Sequence, residues 1–354
     1  MNAALPDSVL RADPAGRCRP ARVELRRALD AAFIREGSPR IVDVETRSLP
    51  YASSFAIEEA SVRFDDGSVL ELVCKGTGEA AMLPEARRIK PRFLHDPLRE
   101  IATYERILAP FAAGAPGFYG SAVDLRRGGH WLFLERVCGA PLTEVGDFAV
   151  WRQACGWLAG MHGRLARAPG LSDATAVVPL VQYDRVHARA WMERAQQNLE
   201  TDAAQPRSVR LHFASLASRY ERVLDEIAAQ PSGFVHGDFF ASNVLVETAA
   251  GQVRVRPVDW EVAGMGPMLM DLAALTAGRW SEDERSELAT SYRAVVNQEW
   301  GASVSHEHFM RAFDCCRLQL AVQRFGWARQ WTPPASHRQD WLGEALHAAD
   351  RLGF

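Results

Sequence analysis

The stretch that decides the fold is Phe234–Leu275, which reads FVHGDFFASNVLV…VRPVDWEVAGMGPMLMDLAAL. A His-Gly-Asp tripeptide ends at Asp238, Asn243 follows five residues later, and Asp259 comes after two apolar runs. These runs are rich in valine and short, which predicts two strands joined as a hairpin. The sequence therefore predicts one Asp and one Asn on a loop and a second Asp at the end of the return strand.

Carboxylate and amide oxygens fixed on a rigid hairpin suit a magnesium–triphosphate site, because Mg²⁺ prefers hard oxygen ligands. In such a site a separate carboxylate meets the attacking hydroxyl. The glycine-rich segment GMGP at 264–267 is predicted to be a turn. A second acidic site follows it at Asp271, in the tripeptide Asp-Leu-Ala.

HGDxxxxN followed by DWE and DLA resembles the aminoglycoside phosphotransferase and choline kinase group, whose fold is related to protein kinases. The corresponding protein-kinase pattern is HRDxxxxN followed by DFG. The resemblance spans roughly residues 40 to 350, although only the central part carries specific motifs. It implies an α+β, protein kinase-like two-lobe fold, with a small N-lobe built on an antiparallel sheet and a larger, mostly helical C-lobe.

Composition describes an ordinary globular protein. The chain has 354 residues, 47% of them hydrophobic and 24% charged, which is enough for two lobes with their own cores. A formal net charge of −3 argues against nucleic acid as a partner. The sequence shows neither an apolar signal core nor a membrane span. Six scattered cysteines without a CxxC pair predict free, buried thiols in the cytoplasm rather than a zinc site.

Three domains are predicted: a flexible N-terminal tail at 1–20, an N-lobe at 21–137 and a C-lobe at 138–354. We expect a monomer or a homodimer. Apolar spacing predicts the N-lobe elements as a helix at Arg22–Arg35, strands at Arg40–Ser48, Ala56–Phe64 and Val69–Lys75, a helix at Asp96–Leu108, and strands at 121–123 and 130–137.

Lys75 ends a mostly apolar strand, and Glu100 lies in the following helix, which opens with an Asp cap and a proline. The resemblance implies that this Lys–Glu pair holds the lysine against the α- and β-phosphates of the nucleotide. Glu105, five residues further along the same helix, is the second choice for the acid. A solvated lysine at a strand end is the alternative interpretation of Lys75.

Two further segments are expected to bind the nucleotide. The loop between the first two strands contains Ser53 and Ser54, whose small side chains allow the main chain to approach phosphate, although it has no GxGxxG or Walker pattern. An ordinary polar turn is the alternative there. By analogy with kinase hinges, residues Glu135 to Val137 would read the adenine edge through main-chain atoms, the alternative being a plain exit from a strand.

The C-lobe is predicted to be mostly helical, with a loop at 169–185 and helices at 147–168, 186–199, 207–229, 281–298, 305–330 and 336–352. His162 is interpreted as a packed helical histidine rather than a base. Trp327, Trp331 and Trp341 are interpreted as core residues, and stacking on an acceptor ring is the other reading. The acidic run at 282–287 is interpreted as a solvated helix start rather than a pocket for a polycation.

The resemblance implies a role for each motif residue. Asp238 would orient the acceptor hydroxyl and take its proton, while Asn243 and Asp259 would bind Mg²⁺. His236 would hold the loop, and Asp271 would brace it from the helix below. For Glu261 two roles stay open, either contact with metal-bound water or the capping of a turn.

The sequence therefore predicts a phosphotransferase that uses ATP, with GTP as the alternative donor, and acts on a hydroxyl of a small molecule. The favoured acceptor is an antibiotic, of the aminoglycoside, macrolide or nucleoside type among others. A metabolite kinase for a substrate such as choline or homoserine and a catalytically silent kinase-like binding protein are the alternatives. A protein kinase is disfavoured, because HGD and DWE replace HRD and DFG, APE is missing, and the gap between Asp259 and Asp271 leaves no room for a peptide platform.

Overall fold

The computed structural model describes residues 22–33, 38–49, 54–125, 128–249, 252–278, 280–301, 303–327 and 339–354. Its helices are α1 (Arg22–Phe33), α2 (Pro84–Ile89), α3 (Arg99–Thr103), α4 (Phe148–Ala166), α5 (Leu171–Ala176), α6 (Arg185–Thr201), α7 (Arg207–Ala228), α8 (Leu269–Leu275), α9 (Glu282–Glu299), α10 (His306–Trp327) and α11 (Trp341–Leu352). Its strands are β1 (Ile41–Ser48), β2 (Ile57–Phe64), β3 (Val69–Gly76), β4 (Phe118–Asp124), β5 (Gly129–Glu135), β6 (Ala140–Pro141), β7 (Val181–Gln182), β8 (Ser232–Val235), β9 (Val244–Ala249), β10 (Gln252–Pro257) and β11 (Gly264–Pro267).

The chain divides into two units. Unit 1 comprises the described residues of Met1–Arg87 and of Gly120–Phe133, and unit 2 comprises those of Arg88–Tyr119 and of Leu134–Phe354. Of the two, unit 2 contains the whole HGD-to-DLA stretch.

Unit 1 is built on an antiparallel sheet with the strand order β1-β2-β3-β5-β4. Alternate residues of a strand face the same side of a sheet, so Ala60 and Val62 of β2 share one face and join a core with Leu72 and Phe133. Leu29 of α1 belongs to the same core. The antiparallel N-terminal sheet predicted from the sequence is confirmed.

Unit 2 is mostly helical, as predicted, and is organised around α10. This helix is buried along most of its length and packs against α6, α7, α8, α9 and α11. The predicted Asp cap of α4 is present, because the side chain of Asp147 accepts a hydrogen bond from the main-chain N–H of Ala149. The predicted helix bounds differ from the observed ones by a few residues at most ends, where caps rather than periodicity decide. The predicted bounds at 330 and 336 lie outside the described residues.

Two predictions in unit 2 are wrong. The segment 264–267 is a strand, β11, between β7 and β8, and the predicted loop at 169–185 contains α5 and β7. The glycines of β11 serve close approach rather than a turn, because a Cβ on Gly264 would lie 2.4 Å from both the Tyr183 ring and the Val181 carbonyl oxygen. Glycine inside a strand often marks such an approach.

The predicted helix at Asp96–Leu108 is present in altered form. Asp96 Oδ1 accepts hydrogen bonds from the main-chain N–H groups of Leu98 and Arg99, at 2.9 and 3.1 Å, and α3 begins at Arg99. From Tyr104 to Leu108 the helix is π-helical. Local π-helical turns often accompany functional sites.

The described cysteines are free thiols, as predicted, but Cys138 is exposed rather than buried. It follows the end of β5, where the chain leaves the sheet. Among the helices described, none is both long and apolar enough to cross a membrane.

Candidate active site

The loop that carries the HGD motif leaves β8 with a tightly packed backbone. Gly237 has φ = +81°, and a Cβ there would lie 2.0 Å from Tyr183 Oη and 2.5 Å from the Val262 carbonyl oxygen. Only glycine satisfies both the left-handed conformation and the lack of space. His236 is fully buried and its Nε2 lies 2.9 Å from the main-chain oxygen of Val258, which ties the loop to the residue that follows β10.

Asp271 on α8 holds this loop from below. Its Oδ2 accepts the main-chain N–H of His236 at 2.7 Å, and its Oδ1 accepts that of Gly237 at 2.9 Å. His162 is buried next to it, with Nε2 3.3 Å from Oδ2 and Nδ1 2.9 Å from the hydroxyl of Tyr292. The position of His162 agrees with a packed residue, and the contacts of Asp271 are those of a loop brace.

Replacing Asp271 by Asn is expected to lower the free energy of unfolding by about 2–4 kcal/mol, because an amide offers one acceptor oxygen to two buried N–H donors. Chemical denaturation would measure the loss. Asp225→Asn is the matched control, since Asp225 is exposed and forms an ion pair with a surface arginine, and it should change stability by less than about 0.5 kcal/mol. Equal effects of the two substitutions would contradict the bracing role.

Asp238 and Asn243 are in direct contact. Asn243 Nδ2 donates to the main-chain oxygen of Asp238 at 2.9 Å and to its Oδ2 at 3.1 Å. Both acceptors are oxygens, so the amide nitrogen must face them and the amide oxygen of Asn243 faces elsewhere. The main-chain oxygen of Asn243 accepts the N–H of Val258 at 2.9 Å, which fixes the loop beside the end of β10.

Asp259 directly follows Val258 and has φ = +67°, a left-handed conformation that side-chain-bearing residues rarely adopt. The next residue, Trp260, is fully buried, and its N–H donates to Glu100 Oε1 at 3.2 Å. Its ring lies 4.4 Å from that of His236. The backbone strain of a left-handed residue such as Asp259 costs about 1–3 kcal/mol. It persists only where neighbouring contacts enforce it, typically at functional sites.

Glu261 is held by two basic residues that the sequence analysis did not identify. Its Oε2 lies 2.6 Å from Nζ of the buried Lys90. Arg99 Nη1 donates to the main-chain oxygen of Glu261 at 3.0 Å. Two roles were left open for Glu261, contact with metal-bound water and the capping of a turn. These contacts favour the second role, in which Glu261 anchors the turn that carries Asp259. Lys90 has no local sequence signal, because its partner lies 171 positions away.

Glu100, the predicted acid of the Lys–Glu pair, is buried, whereas Glu105, the second choice, is exposed. Glu100 is 2% exposed, and Glu105 lies on the exposed face of the same helix. In unit 1, Lys75 is buried near the end of β3, with Nζ 5.6 Å from the centre of the Phe55 ring. Lys75 and Glu100 belong to different units, so their pairing stays a prediction.

The remaining predicted nucleotide residues are placed as follows. Ser53 lies outside the described residues, while the main-chain oxygen of Ser54 accepts the N–H of Leu83 at 2.9 Å. Glu135 ends β5, and its Oε2 accepts the N–H of Gly117 at 2.7 Å. Val137 is partly exposed in the segment between β5 and β6. The side chain of Glu135 is thus used within the fold, which leaves main-chain contacts as the predicted mode of binding.

Arg324 also lies at this site, and the sequence analysis missed it. Its guanidinium forms an ion pair with Asp238, through Nη2 and Oδ1. The same guanidinium lies 4.2 Å from the ring centre of Phe240 and 5.8 Å from that of Trp327. The sequence offers no local signal for Arg324, because α10 carries several other charged and amide side chains, some of them buried.

The last turn of α10 packs on α6 through aromatic rings. Trp327 stacks on Trp191 with ring centres 5.5 Å apart, and both join a core cluster with Leu94 and Val262. Trp341 meets Phe240 at 6.3 Å, whereas Trp331 lies outside the described residues. The interpretation of Trp327 as a core residue agrees with this packing.

His187 on α6 accepts the indole N–H of Trp191 at Nε2, 2.9 Å away. Burial lowers the pKa of His187 from 6.5 to about 4. The unfolded chain therefore binds the proton more readily than the folded one, and stability should fall as the pH decreases from 6.5 to 4, by on the order of 3 kcal/mol.

This pH dependence can be measured by urea unfolding at several pH values in that range. On acidification the free energy of unfolding of His187→Gln should fall less than that of the wild type, by on the order of 3 kcal/mol. His347→Gln, at an exposed position of α11, should follow the wild type. Parallel pH profiles for the wild type and His187→Gln would show that His187 does not carry the effect.

The acidic run at the start of α9 is exposed, in agreement with a solvated helix start. Glu282 pairs with Arg317 at 3.1 Å and also with Arg351. Glu284 forms a capping box with Ser281, so that these acids stabilise the start of the helix. The run therefore gives no support to an acidic pocket for a polycation.

Comparison with known proteins adds the family and the fold. A family model described as the phosphotransferase enzyme family matches residues 86–313. Viomycin phosphotransferase of Streptomyces vinaceus is 34% identical over an alignment of 194 residues, which covers 47% of this chain and 60% of that protein. The chain thus spans less than two thirds of the length of this curated relative.

Three solved structures share the fold at low identity. Choline kinase from Cryptosporidium parvum Iowa II has a TM-score of 0.57 at 13% identity, covering 87% of this chain and 88% of that one. A microcompartment-associated aminopropanol kinase has a TM-score of 0.56 at 15% identity, covering 87% and 90%. The GDP complex of wild-type aminoglycoside 2'-phosphotransferase-IIIa has a TM-score of 0.53 at 15% identity, covering 88% and 92%. The predicted kinase-like α+β fold is confirmed, and because the family model covers more than half of the chain, the protein belongs to the phosphotransferase enzyme family.

Proposed function

We propose that the protein is a magnesium-dependent O-phosphotransferase that transfers the γ-phosphoryl group of ATP to a hydroxyl of a small-molecule antibiotic. The observation that carries the proposal is the contact between Asp238 and Asn243, made beside the end of β10 where Asp259 stands. One carboxylate is thereby available to a hydroxyl, while an amide oxygen and a second carboxylate are available to a cation.

The donor set fits Mg²⁺. Asn243 and Asp259 supply one amide oxygen and one carboxylate, and both residues are partly exposed. No group of three or more His, Cys, Asp or Glu side chains among the described residues could hold a metal alone. Mg²⁺ commonly binds through one or two protein oxygens and completes its coordination with phosphate oxygens and water. When bound, it would neutralise charge on the phosphates.

In the proposed reaction, Asp238 accepts a hydrogen bond from the acceptor hydroxyl and orients it in line with the γ-phosphorus. The hydroxyl oxygen forms a bond with that phosphorus while the bond to the β–γ bridging oxygen breaks. The electron pair leaves with the nucleoside diphosphate, and the proton of the hydroxyl passes to Asp238. Positioning and charge neutralisation supply most of the rate in such transfers.

The donor nucleotide would be held by the residues identified from the resemblance. Lys75, oriented by Glu100, would neutralise the α- and β-phosphates, with Ser53 and Ser54 approaching the phosphates from the loop before β2. The main chain of Glu135 to Val137 would contact the base. ATP is the proposed donor. GTP is the alternative donor, because a protein of the same fold was solved as a GDP complex.

The acceptor class rests on the 34% identity to viomycin phosphotransferase. Viomycin is therefore the first acceptor to test, followed by aminoglycoside, macrolide and nucleoside antibiotics. Choline, aminopropanol and homoserine test for a metabolite kinase. A catalytically silent protein would have no need of the Asp238–Asn243 pair.

The test is a mass-spectrometric screen of purified protein with magnesium, ATP or GTP and these acceptors, with Asp238→Asn as the blank. A phosphate adduct on an antibiotic that is absent from the blank is the expected result. An adduct on a metabolite alone would replace the acceptor class while keeping the reaction. No adduct and no magnesium-dependent nucleotide binding would overturn the proposal in favour of a silent protein.

A further inference from the structure

We propose that Arg324 is a positioning residue that holds the carboxylate of Asp238 in the orientation from which it accepts the acceptor hydroxyl. The inference rests on the proposed function and adds to it a residue outside the motifs of the loop and hairpin. Arg324 lies on α10, 86 positions from its partner. Four features of its surroundings support the role.

The first feature is that the end of α10 is fixed in place. A Cβ on Gly326 would lie 3.0 Å from the main-chain oxygen of Trp191, so α6 and α10 approach closely at that point. Asn198 Nδ2 donates to the main-chain oxygen of Phe325 at 2.7 Å and satisfies one of the carbonyl groups left open at a helix end. Together with the stacking of Trp327 on Trp191, these contacts give Arg324 a rigid base.

The second feature is the surroundings of the guanidinium itself. It lies over the face of Phe240, on the same loop as Asp238, and close to Trp327, and attraction between a cation and an aromatic face orients such a group. The third feature is its place in the last turn of a helix, where the negative end of the helix dipole favours a positive charge. These contacts keep the guanidinium in place.

The fourth feature is that both carboxylate oxygens of Asp238 are held by donors. Arg324 binds Oδ1, and Asn243 Nδ2 lies 3.1 Å from Oδ2. Each carboxylate oxygen can accept two hydrogen bonds, so one position per oxygen is left for a substrate hydroxyl. The Asp238 side chain is 29% exposed, which leaves it accessible to an acceptor. The two donors therefore restrict rotation of the carboxylate without blocking it.

The kinetic test compares Arg324→Ala and Arg324→Lys with Arg311→Ala. Arg311 is a close match, because it lies on the same helix, binds a carboxylate of Glu226 at 2.8 Å and faces the ring of Phe354 at 5.5 Å. We expect Arg324→Ala to lower kcat by about 100-fold, because the Asp238 carboxylate would be misplaced. The KM for the acceptor should change by less than about threefold. Arg311→Ala should leave kcat unchanged.

Arg324→Lys should retain part of the activity, because it keeps the charge and loses the planar fork. Methylguanidinium added to Arg324→Ala should restore part of kcat. A KM effect without a kcat effect would instead assign Arg324 to acceptor binding and overturn the positioning role, as would an unchanged kcat.

A double variant distinguishes positioning from direct contact with the reacting groups. If Arg324 acts through Asp238, then Arg324→Ala should cause no further loss in an Asp238→Asn background. A further loss of about 100-fold in that background would mean that Arg324 acts on the reactants themselves, and it would overturn the inference.

A stability cycle tests the contact without relying on activity. Thermal unfolding of Arg324→Ala, Asp238→Ala and the double variant should give non-additive shifts in Tm, because the two side chains interact. Additive shifts would overturn the inference even in an active enzyme. Non-additive shifts in a protein that phosphorylates no acceptor and shows no magnesium-dependent nucleotide binding would instead refute the proposed function while leaving the contact established.

Discussion

Replacing Asp238 by Asn is expected to lower kcat for phosphoryl transfer by about 10²–10⁴-fold, the range that a positioned general base contributes. Asn is nearly isosteric with Asp, and its side-chain oxygen can still accept a hydrogen bond from Arg324 or Asn243. It cannot take up the proton of the acceptor hydroxyl. The loss should therefore appear in kcat, while the loop keeps its packing against Asp271.

Steady-state kinetics of transfer, together with calorimetric titration of magnesium–ATP, would measure this result. The nucleotide affinity of Asp238→Asn should stay close to that of the wild type, because Asn243, Asp259 and Lys75 are unchanged. Unchanged thermal stability is the control for folding. Turnover near the wild-type rate would remove Asp238 from the mechanism and with it the assignment of the loop.

Replacing Asp259 by Asn is expected to weaken magnesium–nucleotide binding by at least about 100-fold. Mutating residues that only hydrogen-bond to a metal ligand already lowers metal affinity by about 10–100-fold, and loss of a ligand should cost more. Asn is among the side chains that tolerate a left-handed backbone, so φ = +67° can be kept and the fold preserved. The loss should appear in the titration with magnesium and be small in its absence.

Asp259→Gly is the matched variant for the backbone. It removes the same carboxylate and also relieves the strain of the left-handed conformation, so its stability should equal or exceed that of Asp259→Asn. Both variants should lose nucleotide affinity to a similar degree. Affinity equal to the wild type in either of them would contradict the metal-binding role of Asp259.

The central part of the site could be predicted because its residues are close in sequence and each follows a recognisable local element. Asp238 and Asn243 are five positions apart, and a hairpin of apolar strands brings Asp259 back beside them. Charge and turn patterns over such short distances constrain the backbone strongly. The long helices of unit 2 were predictable for a similar reason, since their apolar faces repeat with the helical period.

Arg324 and Lys90 could not be predicted in the same way. Their partners, Asp238 and Glu261, lie 86 and 171 positions away, and no periodicity reports which distant carboxylate a basic residue meets. The strand β11 was missed for another reason. Its glycines have the composition of a turn, and their role became clear only from the close approach of Tyr183 and Val181 in the fold.

The most direct test of the central claim follows the γ-phosphoryl group itself. Purified protein would be incubated with magnesium, the acceptor found by screening and a nucleotide carrying an isotopic label on the γ-phosphate, beside Asp238→Asn. Fragmentation mass spectrometry would then locate the label on the product. The account predicts labelled phosphate bonded to a hydroxyl oxygen of the acceptor, formed by the wild type and nearly absent with Asp238→Asn. Equal transfer by both proteins, or release of the label only as free phosphate with the acceptor unchanged, would contradict it.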